Sequence, residues 1–367
     1  MTIEDVALTM TPGIGVKGAV HLLETFGDAR RIFAASAGEL VAEAALRADL
    51  AQNIVRRKGF AEAEKELAHC RRNQITAVAS TDAQYPALLR ETPDYPHVLY
   101  IRGNVDVLSM RCVAIVGTRK ATQYGRGMCI RLVEELAELV PGLCIISGLA
   151  MGMDAEAHHA ALAAGIPTIG VLPNALPQVM PTQHTALARD IVARGGALVT
   201  ELHSQSKQTG NFYLPRNRII AALSAGTIVV EAAFDSGSLH TAHYADGYNR
   251  TVMALPGRVT DKYSFGNNHL IRSRKAQLIL SAQDVVNEIG WELGQQIAQR
   301  APKPATTSLV PPEKELLGFF PESDPISVGM LGELSGLNPG ELTTLLLGLE
   351  LAGVVRKTPG DCYLKLR

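Results

Sequence analysis

The chain has 367 residues, is 47% hydrophobic and carries a formal net charge of −1 at pH 7. That length suits two or three domains with a large buried core. The near-zero charge excludes a globally basic coat for nucleic acid, although it leaves room for a local basic patch.

Five scattered cysteines, Cys70, Cys112, Cys129, Cys144 and Cys362, make no C-x-x-C pair. They point to a reducing, cytoplasmic compartment and away from a disulfide frame or bound zinc. Met1–Val6 carries two acids and no basic stretch, so it does not read as a secretory signal. No apolar run reaches membrane-spanning length.

In chain order, residues 1–79 read as an all-helical domain. Thr11-Pro12-Gly13-Ile14-Gly15 sits between two helical patterns. It resembles the hairpin of a helix-hairpin-helix, whose backbone N–H groups can face a DNA phosphate. A tight turn between packed helices is the favoured reading of the same residues, since acids and bases balance here and the motif occurs once. A long charged helix is expected over Ala48–Cys70, with Arg56-Arg57-Lys58 on a solvated face.

Residues 80–295 alternate between strand and helix patterns. Val98–Arg102 reads as a strand. Val113–Val116 is a short apolar, β-branched run, as in a parallel strand covered on both faces. It stops at Gly117-Thr118-Arg119-Lys120, and a helical pattern follows Gly125. A second strand, Leu143–Ile146, stops at Ser147-Gly148-Leu149-Ala150-Met151-Gly152, with Asp154 placed to cap a helix over Ala155–Ala164. Strands are expected at Thr168–Leu172, Ala197–Thr200, Thr227–Val230 and Thr251–Ala254, with helices at Thr185–Ala193, Asn217–Ser224 and Leu239–Asn249. The pattern gives an α/β fold, a Rossmann-like parallel sheet with helices on both faces. Its ligand crevice would lie beyond the carboxyl ends of the strands.

Several chemistries lack their residues here. After Gly117 there is no G-x-G-x-x-G, and the second strand ends at Ser147 and not at a ribose-binding acid, so no NAD or FAD is expected. P-loop, H-E-x-x-H and G-x-S-x-G motifs are missing. Asp154 and His158 share a helix face, but a cap and a packed histidine explain them without a metal. What remains is a set of cations near the strand ends. Arg111 to Arg131 holds five basic residues and no acid. Lys207 precedes Asn211-Phe212-Tyr213-Leu214-Pro215-Arg216-Asn217-Arg218, and Asp235-Ser236-Gly237-Ser238 opens a further helix with hydroxyls and N–H groups. Backbone-tracking cations with a few rings are what a single-stranded nucleic acid site needs.

Val113–Lys120, Ser147–His158, Arg216–Ser224, Val229–Thr241 and Leu255–Ile271 resemble, in order, the blocks of the bacterial DNA processing protein A family (DprA/Smf). The resemblance implies an extended Rossmann domain between a helical, SAM-like N-terminal domain and a small C-terminal domain. It implies a non-enzymatic protein without cofactor or metal that binds single-stranded DNA regardless of sequence. Such a protein loads the RecA recombinase in natural transformation, works past single-strand binding protein, and forms a homodimer through the Rossmann domain. By the same resemblance the DNA site includes Gly117, Thr118 and Arg119, with Gly148 in the second loop, Tyr213, Arg216, Asn217 and Arg218, and the turn Ser236, Gly237 and Ser238. The reading of polar and basic residues near the strand ends adds Lys120, Lys207 and Asn211 to that site. The family's usual Phe-Pro is here Tyr213-Leu214-Pro215. Ser273-Arg274-Lys275-Ala276 stands where the family prefers a small Gly-Ala turn.

Residues 296–312, rich in Pro and Gln, read as a linker. Residues 313–367 outline a winged helix: a helix at Glu313–Phe320, a helix-turn-helix at Val328–Ser335 and Pro339–Ala352, and a wing around Pro359-Gly360. The second helix of the pair carries Glu341 and Glu350 and no Lys or Arg, which favours a protein-contact module over a groove reader. Two other readings stand beside the DNA mediator. One is a nucleoside-monophosphate phosphoribohydrolase-like enzyme on the same Rossmann type, with Glu231 as its acid. The other is a structural adaptor acting through the C-terminal domain.

Overall fold

The chain starts with six helices, α1 (Ile3–Met10), α2 (Val16–Phe26), α3 (Ala29–Ala34), α4 (Ala37–Ala44), α5 (Ala48–Val55) and α6 (Phe60–Arg72). The computed structural model describes residues 1–206, 213–291, 311–321, 325–351, 354–358 and 362–365. Local signals set several helix starts. Ser36 and Glu39 form a reciprocal capping box, with Ser36 N–H donating to Glu39 Oε2 at 2.7 Å and Glu39 N–H to Ser36 Oγ at 3.2 Å. The helices close over a core that includes Leu8, Leu22, Ile32, Leu40 and Ile54. Thr11–Gly15 is the turn between α1 and α2, and Thr11 Oγ1 donates back to Ala7 O. The single helix expected over Ala48–Cys70 is two helices. The chain breaks between them where Arg57 takes a left-handed φ of 50°. Arg56, Arg57 and Lys58 are exposed at that break.

Nine strands follow: β1 (Thr76–Ala79), β2 (Val98–Gly103), β3 (Arg111–Val116), β4 (Leu143–Ser147), β5 (Thr168–Val171), β6 (Ala197–Thr200), β7 (Gly226–Val229), β8 (Thr251–Ala254) and β9 (Gln277–Leu278). Between and after them lie α7 (Ala87–Arg90), α8 (Gln123–Leu139), α9 (Met153–Ala163), α10 (Thr185–Ala193), α11 (Tyr213–Ala222), α12 (Gly237–Gly247), α13 (Phe265–Arg272) and α14 (Ala282–Ile289). The sheet order is β1-β2-β6-β5-β4-β3-β7-β8-β9. It is parallel from β6 to β9 and antiparallel at β1–β2 and β2–β6, so the sheet is mixed at one edge. Residues 1–79 are therefore not helical throughout, because Thr76–Ala79 pairs with β2. The central strands are buried along nearly their whole length, as their apolar runs foretell. From β3 the chain runs outward through β4, β5 and β6, then returns to place β7 on the other side of β3. The crevice of such a switch lies at the carboxyl ends of β3 and β7.

The helical start is joined to this sheet by buried polar contacts. His97, just before β2, lies 3.1 Å from Asp5 Oδ1 of α1 through Nε2 and 2.7 Å from Ser80 Oγ through Nδ1. All three residues are buried. Asp5 also accepts from Thr2 N–H at 2.5 Å.

Some helix starts differ from their sequence patterns. α9 begins at Met153 after Gly152, so Asp154 is inside the first turn and not at the cap. Its Oδ2 accepts from Ala150 N–H at 3.3 Å. α11 begins at Tyr213 and α12 at Gly237, both earlier than apolar periodicity suggests, because their first residues face the crevice and not the core.

The chain divides into two compact units, Met1–Glu292 and Leu293–Arg367. In the second, α15 (Pro311–Leu317), β10 (Ile326–Ser327), α16 (Val328–Ser335), α17 (Pro339–Leu351), β11 (Val355–Thr358) and β12 (Cys362–Lys365) form a winged helix with strand order β10-β12-β11. Its core includes Leu316, Leu331, Leu342, Leu346, Leu349 and Tyr363. Residues 296–310 of the expected linker and the expected Pro359-Gly360 turn lie outside the described residues. Among the described residues no helix is long and apolar enough to cross a membrane.

His158 of α9 shows how the core constrains a titratable group. Its Nδ1 is 2.7 Å from Thr168 Oγ1, whose own hydroxyl donates to Ile145 O at 2.7 Å, so Nδ1 carries the proton. Burial, aided by nearby His159, His184 and Arg216, pushes its pKa down from 6.5 to about 3. Between those values the unfolded chain takes up a proton that the folded chain refuses. The contribution is complete above pH 6.5 and is lost as pH falls below it, at up to about 1.4 kcal/mol per pH unit. In urea unfolding at pH 7, His158→Gln should be less stable than the parent, because it removes the buried ring and its hydrogen bond to Thr168. The gap between the two should narrow steadily from pH 6.5 to pH 4.

Candidate nucleic-acid interface

A cavity of about 930 Å³ opens at the switch point, beyond the carboxyl ends of the parallel strands. Its walls come from five places. The loop after β3 gives Gly117, Thr118 and Arg119, and the loop before α9 with its first turn gives Ala150 and Asp154. The start of α11 gives Tyr213, Leu214, Arg216 and Asn217. The turn after β7 gives Ala233 to Ser238, and Lys262 and Phe265 come from beyond β8. Of the residues expected from sequence, Gly117, Thr118, Arg119, Tyr213, Arg216, Asn217, Ser236, Gly237 and Ser238 meet on this one surface.

Backbone contacts hold the loops together. Thr118 N–H donates to Glu231 O at 2.7 Å, and Thr118 O accepts from Met153 N–H at 3.1 Å. Gly152 has φ +83°, and a Cβ there would come within 2.5 Å of the Thr118 and Arg119 carbonyl oxygens. Only glycine allows the second loop to lie on the first in this way. The Glu231 carboxylate accepts from Thr122 N–H at 2.9 Å and Thr122 Oγ1 at 2.5 Å, and Thr122 in turn caps α8. Glu231 is thus a buried clasp behind the loop, and it does not line the cavity.

The cations divide into two kinds. Arg119 is exposed, and its guanidinium carbon stands 5.2 Å from the centroid of the Tyr213 ring. Lys262, from beyond β8, is exposed and also lines the cavity. Arg216 is buried: its Nη1 donates to Gly148 O at 2.5 Å and to Val171 O, and its Nε has no acceptor among the described residues. Burial pushes its pKa down to about 10, opposed by the Asp154 carboxylate. The same burial pushes Asp154 above its ordinary value, with Arg216 pulling it back. The cavity floor is therefore a compensated pair, and net positive charge sits at the rim.

Three expected residues lie off the cavity wall. Lys120 is exposed beside it, with its N–H donating to Thr118 Oγ1 at 3.1 Å. Gly148 lies beneath Arg216 and presents its carbonyl to it. Arg218 is drawn the other way, with Nη2 2.5 Å from Glu201 Oε2 and Nε 3.7 Å from Asp94 Oδ2. On a helix, residues two apart do not share a face, so Arg216 and Arg218 cannot serve one site. Lys207 and Asn211 lie outside the described residues.

The turn Ser236-Gly237-Ser238 starts α12, with the two serine Oγ atoms 2.8 Å apart. Asn217 Nδ2 donates to Gly237 O at 3.2 Å, which fixes α11 to that turn. Together, the α12 start at the Ser236–Ser238 turn, a rim of cations and rings make a surface suited to phosphate and base.

Residues 76–290 match the family described as DNA recombination-mediator protein A, and residues 300–361 match the DprA winged helix domain. The chain belongs to the DprA/Smf family of DNA recombination mediators. Protein Smf of Escherichia coli is 36% identical over 289 residues, covering 77% of this chain and 75% of that protein. DNA processing protein DprA of Bacillus subtilis is 37% identical over 224 residues, covering 61% of this chain and 74% of its own length. The X-ray structure of the DprA of Streptococcus pneumoniae superposes with a TM-score of 0.62 at 31% identity, covering 78% of this chain and 98% of that one. The DNA processing protein A of Helicobacter pylori, whose structure is described for a unique single-stranded DNA binding mode, gives a TM-score of 0.52 at 31% identity. It covers 58% of this chain and 94% of that one.

Sequence reasoning passed over several wall residues, among them Phe234, His240, Lys262 and Phe265. The available signal was local. Each phenylalanine stands among small or polar neighbours, Asp235-Ser236-Gly237 and Ser264-Gly266-Asn267, where no apolar periodicity asks for a large ring.

Gly148→Ala tests how Arg216 is held. A Cβ at Gly148 would come 2.5–2.7 Å from the guanidinium atoms, which have carbonyls on two sides. The variant should be destabilised by about 1–3 kcal/mol in denaturant titration.

Proposed function

We propose that this chain binds single-stranded DNA, without sequence preference, in the switch-point cavity and delivers it to a RecA-type recombinase. The observation that carries the reading is the meeting of Gly117–Arg119, Tyr213, Arg216 and Ser236–Ser238, from loops far apart in sequence, on one surface. Phosphates meet helix-start N–H groups and the rim cations Arg119 and Lys262, while Tyr213 offers a ring. The single-stranded DNA binding described for the Helicobacter pylori relative supports the same assignment. The setting is natural transformation in the cytoplasm, past single-strand binding protein, with two copies joined through the sheet domain. The chain acts without catalysis or cofactor. The 313–367 unit serves as a protein-contact module, since α17 exposes Glu341, Thr343, Thr344 and Leu347.

The phosphoribohydrolase reading has less support. Its acid would be Glu231, and that carboxylate is spent on Thr122 behind the loop.

Titration of labelled oligo-dT at two or more salt concentrations tests the proposal. Log K should fall with log salt at roughly −0.7 per phosphate contacted. Arg119→Ala should weaken binding to all sequences alike and reduce the slope by about 0.7, the share of one phosphate. Tighter binding to a duplex than to a single strand of equal length would reject the assignment.

A further inference from the structure

Two rings on the cavity wall have no role in the arrangement described so far. Phe234 follows β7 and is 59% exposed, and Phe265 opens α13 and is 51% exposed. Large aromatic side chains are normally buried for most of their area. These two meet each other edge to face, with centroids 5.5 Å apart and planes at 76°. His269, one turn along α13, stands edge-on to Phe234 at 6.0 Å. An edge-to-face pair covers at most one face of one of its rings, so at this exposure a face stays open to a flat partner.

The mounting of the pair is rigid. Ala232 N–H donates to Tyr263 O at 2.7 Å, and Gly266 N–H donates to Ala232 O at 2.8 Å. A Cβ on Gly266 would come within 2.8 Å of the Ala232 and Ala233 carbonyl oxygens, so the two loops lie directly on one another. Asn267 Nδ2 lies 2.8, 3.0 and 2.9 Å from the carbonyl oxygens of Val229, Val230 and Leu255. The start of α13 is thus pinned to the ends of β7 and β8. Rings held this way lose little freedom when something stacks on them.

We propose that Phe234 and Phe265 form a fixed stacking platform for a nucleobase of the strand bound in the cavity that Tyr213 also lines. This inference rests on the reading that the cavity takes single-stranded nucleic acid. Position selects a base over a protein side chain as the occupant. The rings share their cavity with Arg119, Lys262 and the Ser236–Ser238 turn, so a strand whose phosphates engage those groups carries its bases past the rings.

Fluorescence anisotropy on the full chain separates the two levels, using oligo-dT and an abasic strand of equal length as probes. The parent protein should bind oligo-dT more tightly than the abasic strand. Phe234→Ala and Phe265→Ala should each weaken oligo-dT binding by roughly 5-fold or more and leave abasic binding unchanged. Phe234→Trp should restore the difference. Equal loss on both probes, or no loss on either, overturns the platform while strand binding stands. If the parent binds neither probe, the underlying reading fails instead. Circular dichroism melting of each variant confirms that the fold is retained.

Discussion

One residue, through its two flanking peptide groups, stitches the site together. Thr118 gives its N–H to the Glu231 carbonyl beyond β7 and takes a hydrogen bond on its own carbonyl from Met153 at the start of α9. Three strand ends are thereby fixed to one another by main-chain atoms alone. Side chains are then left over for the cavity. Buried main-chain groups must be paired, so this lattice is obligatory once the loops are covered. The absence of side chains at Gly117 and Gly152 is what lets the loops come close enough to pair. Glu231 adds the outer fastening through Thr122, which carries the order of the loop into α8.

Charge is arranged by depth. Arg216 and Asp154 sit together at the bottom, each shifted toward its neutral form by burial and each restrained by the other. A lone buried guanidinium would be costly, so the carbonyls of Gly148 and Val171 and the nearby carboxylate are part of its solvation. Arg218 is neutralised on the far side by Glu201 and Asp94. Among the described residues, the lining Lys and Arg side chains with water access are Arg119 and Lys262, and Lys120 is exposed beside them. A chain with nearly balanced total charge can still present a positive opening in this way, because Arg119 and Lys262 outnumber the one exposed acid of the wall, Asp235.

Much of this was legible from the residues. Val113–Val116 and Leu143–Ile146 announced buried parallel strands, and the glycine loops after them announced a crevice. The winged helix was visible in the helix-turn-helix spacing and the paired end strands. Three features were hidden for physical reasons. Antiparallel β1 and β2 carry the same short apolar signature as the parallel strands, and only partner choice distinguishes them. The break near Arg57 costs a non-glycine left-handed residue, which the packing of two helices sustains and local sequence does not announce. The opposite fates of Arg216 and Arg218 depend on Glu201 and Asp94, residues distant in the chain whose approach follows from the sheet order. A basic cluster in a sequence therefore counts cations without saying which of them face outward.

The contact among Asp5, His97 and Ser80 bears on how the protein can be divided. A fragment beginning near residue 80 would lack Thr76–Ala79, leave β2 as a bare edge, and strip His97 of its carboxylate. The opening helices are thus not a detachable appendage. Any shortened version of this chain would have to repair a raw sheet margin and an unmatched imidazole before its cavity could be judged.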